Sequence, residues 1–314
     1  MKKGLLVVVL VAVVALAGFV AQSQEYRIIA HEGNVSSFWA VVGRGVEAAG
    51  KALGVTAVFQ GPDSFSPSQQ ADFIDAATNA GVDGIGTTYS DAAIIDPAVQ
   101  RATDAGIPVV TLNAPPPPGS ASFVTGAPLS YIGQREEAAG ANVANFVANT
   151  TSCDSSSKVL LINHQRGNSA LDDRESGIKS VYSNVTIIDT PGTDFGSSTG
   201  IIEGVLDDSF CAVFTLGPDG TVPLLSVFNS TNVAPGKFAV GVFDLGEATV
   251  GGIKDGFINA AVDQQQYLQG YYSVVELDLF NKFGFSPTDI NTGVGLVTPD
   301  NVAQVAELAA SGIR

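Results

Sequence analysis

Short apolar runs alternate with longer amphipathic stretches along almost the whole chain, and this alternation narrows the possible folds more than any other feature. Residues 27–30 read as a strand, followed by a helix over 38–53. In that helix Phe38, Val42, Val46, Ala49 and Leu53 recur at steps of four and three, which places them on one helical face. Strands at 55–60, 84–87 and 109–112 are separated by helices at 69–80 and 92–105. Strands spaced by helices form βαβ units, and such units build a parallel sheet covered on both faces. A second round runs from a strand at 131–132 through strands at 159–162, 186–188, 212–216, 238–242 and 260–262. Helices at 135–149, 170–181, 199–206, 222–228 and 248–256 separate them. A long helix at 267–283, a strand at 294–297 and a helix at 301–310 end the pattern.

Two rounds of one alternation in 314 residues mean two doubly wound α/β lobes, not one oversized sheet. The expected division gives the first lobe residues 24–130 and 265–293, and the second lobe 131–264 and 294–314. The chain then crosses between lobes near Tyr131, Gln264 and Gly293, which restrains them to a bending motion.

Residues 1–23 read as a secretory signal peptide. Lys2 and Lys3 precede an apolar run ending at Val20, and Ala21-Gln22-Ser23 supplies small residues at the cleavage position. The mature chain is expected to begin near Gln24, in the periplasm or outside the cell. Cys153 and Cys211 are the only cysteines, and an oxidising compartment allows them to pair. Their separation fits no zinc or redox motif. The excess of 31 Asp and Glu over 15 Lys and Arg gives a formal charge of −16, which argues against nucleic-acid binding.

Chemistry in a parallel α/β sheet gathers at the carboxyl ends of its strands. There this chain carries His31, Ser90-Asp91, Asn113, Asn163-His164, Asp244 and Asp263-Gln264-Gln265. No metal-ligand spacing occurs, and the two histidines fall in different halves. Gly196-Ser197-Ser198-Thr199-Gly200 fits the G-x-S-x-G nucleophile elbow, but both histidines precede the serine and a polar loop separates it from the strand before. No residue is assigned a catalytic role, and no metal or cofactor is expected.

The order of several stretches resembles the periplasmic sugar-binding proteins of the ribose-binding type, which serve ABC transporters. They are His31-Glu32-Gly33 with Ser37-Phe38-Trp39, Ala105-Gly106-Ile107-Pro108 leading to Asn113, Gly167-Asn168-Ser169-Ala170 with Arg174, Val242-Phe243-Asp244, and Asp263-Gln264-Gln265. The resemblance covers nearly the whole mature chain. It implies a type I periplasmic binding fold that closes on its ligand, a small sugar or polyol, and a permease that recognises the closed form. A monomer is expected. It also implies site roles: Phe38 and Trp39 stack on the sugar ring, Arg174 and Asp244 bond its hydroxyls, and Asn113 and Gln264 contribute amides. Phe195 falls near a further aromatic position, and His31 and His164 are secondary candidates. Trp39 lies off the apolar stripe, so neither Trp39 nor Arg174 is expected in the core. Ala114 and Gly217-Pro218 depart from the ribose pattern, pointing to another pentose, a hexose, a polyol or a furanone-like signal. A secreted carbohydrate-active enzyme and a sensory receptor subunit are the rival readings.

Overall fold

A computed structural model describes residues 23–33, 36–117, 128–293 and 295–314. Apart from Ser23, the expected signal peptide lies outside the described residues. The chain begins with β1 (Glu25–Ile29), α1 (Ser37–Leu53), β2 (Thr56–Gln60), α2 (Pro67–Ala80), β3 (Gly84–Thr87), α3 (Ala92–Asp104), β4 (Val109–Leu112) and β5 (Tyr131–Gly133). It continues with α4 (Glu136–Thr150), β6 (Lys158–Asn163), α5 (Ser169–Val181), β7 (Asn184–Asp189), α6 (Phe195–Val205), β8 (Ala212–Thr215), α7 (Pro218–Ser230) and β9 (Ala239–Phe243). Then come α8 (Glu247–Lys254), β10 (Ala260–Asp263), α9 (Gln266–Phe283), β11 (Ile290–Asn291), β12 (Gly295–Val297) and α10 (Val302–Ala310).

These strands form two six-stranded sheets, in the orders β11-β5-β4-β3-β1-β2 and β12-β10-β9-β8-β6-β7. Every neighbouring pair runs parallel except β10 and β12, which are antiparallel. The central strands β3, β4, β8 and β9 are buried throughout, as strands covered on both faces must be. Each sheet has an apolar cluster on either face. The fold is the expected pair of doubly wound α/β lobes.

Details of the hinge differ from expectation. β5 pairs with β4 and β11, so Tyr131–Gly133 belongs to the first sheet, and the first crossing follows Gly133 instead of preceding Tyr131. The two-residue strand β11 has no counterpart in the sequence reading, because so short a run carries no periodicity. The strand expected at 294–297 runs from Gly295, and Val294 lies outside the described residues. The three linking segments touch one another. Thr292 N–H donates to Gly133 O at 2.9 Å, Gln265 Nε2 to Thr292 O at 2.7 Å, and Gln269 Nε2 to Gln264 Oε1 at 3.0 Å.

Cys153 and Cys211 are joined by a disulfide with their Cα atoms 5.6 Å apart. The bridge sits before β6 and β8, at the amino ends of strands in the second sheet. Among the described residues no helix is long and apolar enough to cross a membrane.

Candidate functional site

Between the lobes lies a cavity at the carboxyl ends of both sheets. Its walls come from the turns after β1, β4, β6, β8, β9 and β10 and from the first turns of α1, α5 and α7. His31, Phe38, Trp39, Asn113, His164, Arg174, Asp244 and Gln264 all line it, so the fold brings eight sequence candidates together.

Phe195 is not among them. It opens α6 beyond the rim and is 41% exposed. Asp194 caps that helix by accepting from Ser197 N–H at 3.1 Å, so Phe195 occupies the first helical position instead of a strand-end turn. The G-x-S-x-G serine lies inside this same helix, not at a strand-to-helix elbow, and its hydroxyl is buried.

The expectation that Trp39 and Arg174 stand outside the core also fails: each is only 3% exposed. Trp39 packs edge-on against Phe38 and His31, with ring centroids 4.8 and 5.0 Å away, and stacks on Phe59 at 6.0 Å. The helical stripe missed this because the second apolar surface of α1 faces β2, not the sheet centre. Arg174 Nε and Nη2 donate to the two oxygens of Glu136, at 2.6 and 3.0 Å. Its Nη1 donates to Leu216 O at 2.7 Å, and the guanidinium lies over the Phe243 ring. The close approach of α4 and α5 makes this pairing possible: a Cβ on Gly140 would fall 2.2 Å from Arg174 O. Burial raises the pKa of Glu136, and the Arg174 charge pulls it back. The bidentate geometry opposes that rise by favouring the carboxylate form.

Asn113 and Asp244 end equivalent strands, β4 and β9, and both adopt left-handed backbone with φ of 62° and 74°. Asn and Asp tolerate that conformation better than other side-chain-bearing residues, and it turns both into the cleft. Gln264 joins them across the hinge. Its Oε1 accepts from Asn113 Nδ2 at 3.3 Å, and its Nε2 donates to Asp244 Oδ1. Burial pushes the Asp244 carboxyl up to about 7, against the Arg174 charge and the Gln264 hydrogen bond.

Both histidines are neutral, held down to about 3 by burial and then by neighbouring positive charge. His31 Nδ1 lies 2.8 Å from Thr88 Oγ1, and Asn168 Nδ2 donates to its Nε2 at 3.3 Å, which fixes the proton on Nδ1. The His164 ring abuts Gly217, where a Cβ would approach its Cε1 to 2.6 Å. A side chain there would displace the imidazole from the cavity wall.

Among the lining residues that had been given no role, four carry side chains able to bond a ligand across the cleft or to tie the lobes: Glu32, Gln165, Asn168 and Asp219. Gln165 and Asp219 follow β6 and β8 closely, so their strand-end position was the available signal. Glu32 and Asn168 sit inside stretches that carried the resemblance. Three of these four tie the lobes together. Gln165 Nε2 donates to Glu32 Oε2 at 2.9 Å, and Asn168 reaches His31. Beside them Ser169 N–H donates to Ser90 O at 3.1 Å and Ser169 Oγ–H to Tyr89 O at 3.0 Å. The lobes are therefore closed on one another. Among the described residues no cluster of His, Cys, Asp and Glu has the arrangement to hold a metal ion.

The chain is similar to the carbohydrate transporter from Acidothermus cellulolyticus 11B solved in complex with myo-inositol. The two share 28% identity over 93% of this chain and all of that one, with a TM-score of 0.83. An ABC transporter solute-binding protein from Burkholderia graminis, solved with D-arabinose, is 25% identical over 90% of this chain and 97% of that one, with a TM-score of 0.79. The xylose/arabinose-binding protein XylF of Sulfolobus acidocaldarius is 26% identical over 77% of this chain. The chain spans 63% of that relative's length. The periplasmic binding protein domain matches residues 28–279. That match spans most of a chain already seen to fold as two hinged α/β lobes, and the chain belongs to the periplasmic binding protein family.

Proposed function

We propose that this protein is exported, captures a small sugar or polyol between its lobes and hands it to an ABC transporter permease. The single observation that carries the reading is the cavity itself. The first lobe offers aromatic rings, Phe38 and Trp39, and around the cavity stand hydrogen-bonding groups: Asn113 of the first lobe, Gln264 at the hinge, and Arg174 and Asp244 of the second lobe. Aromatic faces suit the C–H face of a sugar ring, and amides and carboxylates suit its hydroxyls. Relatives crystallised with myo-inositol and D-arabinose support the same ligand class.

In this reading the free protein opens about the crossings near residues 134, 264 and 293, and the ligand stabilises the closed form that the permease recognises. The protein acts as a monomer in the periplasm or outside the cell, after removal of residues 1–23. The ligand leaves unchanged, so turnover of a glycoside would overturn the reading.

A thermal-shift screen of pentoses, hexoses and myo-inositol tests it. A ligand bound only by the folded state raises the melting temperature in proportion to its saturation. Trp39 is the only tryptophan, so binding should also perturb its fluorescence from a single source. The screen fails the proposal if no sugar or polyol shifts either signal. N-terminal sequencing of exported material tests the processing step, and an intact Met1 would refute it.

A further inference from the structure

The cavity carries more negative charge than its sugar-binding role demands. Three carboxylates line it, Glu32, Asp219 and Asp244, against one guanidinium, Arg174. That guanidinium is already matched by Glu136 behind the wall. The two imidazoles in the lining, His31 and His164, are neutral. Of the three carboxylates, Asp244 has the Arg174 charge acting on it and a hydrogen bond from Gln264. Glu32 and Asp219 have no cation within ion-pairing distance among the described residues.

Their placement is what makes them informative. Glu32 follows β1 in the first lobe, and Asp219 sits in the first turn of α7 in the second, so closure brings them together. Glu32 is held by a hydrogen bond from Gln165. Asp219 is 3% exposed, lines the cavity and has no hydrogen-bond partner among the described residues. A buried carboxylate without a donor is costly unless something that binds there supplies one. Its position also cancels the positive end of α7, which would otherwise attract an anion.

We propose that Glu32 and Asp219 form a charge filter across the cleft, which admits polyhydroxylated ligands that are neutral or cationic and refuses sugar acids and sugar phosphates. Resting on the sugar-binding reading above, this narrows its ligand class. A hydroxyl or ammonium group donating to both carboxylates satisfies them as the lobes close. A carboxylate or phosphate at the same place adds a third negative charge with no free cation to meet it.

The filter depends on pH in a defined direction. Burial pushes the Glu32 carboxyl up to about 7, with the Asp219 charge adding to the rise and the Gln165 hydrogen bond opposing it. Burial alone pushes Asp219 up to about 6. As pH falls through these values the pair takes up protons in the closed form, and its repulsion of an anion fades. Asp244 titrates in the same range and adds to the trend, whereas His31 and His164 keep their charge state there.

Calorimetry with matched probes tests this: D-glucose, D-glucosamine and D-glucuronate; D-galactose and D-galacturonate; D-arabinose and its 5-phosphate; myo-inositol and its 1-phosphate. At pH 8 a neutral member is expected to bind, with its anionic counterpart about a hundredfold or more weaker, since like charges in contact cost several kcal/mol. The double variant Glu32→Gln, Asp219→Asn keeps the shape and should bring the anionic member within about tenfold of the neutral one. Lowering the wild type to pH 6 should narrow the gap in the same direction. Tight binding of an anionic probe by the wild type at pH 8, or a gap unchanged in the double variant, would overturn the filter alone and leave the sugar-binding reading intact. If no neutral, cationic or anionic probe binds, both fall. Glu32→Gln alone retains the acceptor for Gln165, so a narrowed gap in that variant supports the filter even if the double variant does not fold.

Discussion

The two walls of the cleft are built by different physics. The first-lobe wall is held by packing: Phe38, Trp39, Phe59 and His31 form a contiguous group of rings with no ion pair among them. The second-lobe wall is held by directional bonds. Arg174 is fixed at both ends of its guanidinium, Asp244 by Gln264, and the sheet behind them is stapled by Cys153–Cys211. Packing tolerates adjustment as the lobes move, whereas a buried ion pair has one good geometry. The first wall can thus re-seat on different ring faces while the second sets where hydroxyls must lie.

This contrast breaks most sharply at Glu136. Replacing it by alanine leaves Arg174 buried without its counter-charge, which costs about 3–5 kcal/mol. Denaturant unfolding should show the loss, and an unchanged midpoint would mean the ion pair does not hold the wall. Trp39→Ala should cost a comparable 3–5 kcal/mol or so, through the volume removed from the first-lobe core. Its signature differs, because a bulky apolar replacement such as Trp39→Phe should recover most of the stability, while no apolar residue rescues the Arg174 partner of a missing Glu136.

Removing the disulfide sharpens the comparison from the far end of the second lobe. The bridge closes a 58-residue separation, and its loss from Cys153→Ala, Cys211→Ala should cost about 2–4 kcal/mol. Sugar affinity should stay as it was, since the cysteines lie at the amino ends of the strands and the cavity at the carboxyl ends. A matching fall in affinity would show that the two ends are coupled. The smallest effect is expected at the contacts between walls. Gln165→Ala removes one cross-lobe hydrogen bond, and the closed form should lose about 0.5–1.5 kcal/mol relative to the open one. Scattering of the ligand-free protein would report this as a larger radius of gyration, with stability against denaturant little altered.

Most of the site was readable because strand ends are readable. His31, Asn113, His164, Asp244 and Gln264 were found from the rule that ligands meet parallel sheets at their carboxyl ends, and the structure gathers all five. Phe195 came from the resemblance, and it sits exposed at the first position of α6, after the Asp194 cap, outside the cavity lining. The burial of Trp39 and Arg174 was misjudged. Helical periodicity finds one buried face, and it has no means of finding a second surface against β2 or a counter-charge 38 residues away.

The elements, their βα alternation and the division into two lobes were legible along the chain, because each depends on neighbours within one turn or one strand. The resemblance added the family and the ligand class. The folded structure was needed to put β5 in the first sheet and to reveal β11 beside it, since strand pairing is a contact between distant segments. It alone decided that Glu32 and Asp219, 187 positions apart along the chain, share one cavity. The physical reason is the same in both cases. Local periodicity is written in side chains that meet their partners a few residues away, whereas charge across a cleft exists only once two lobes have folded and closed.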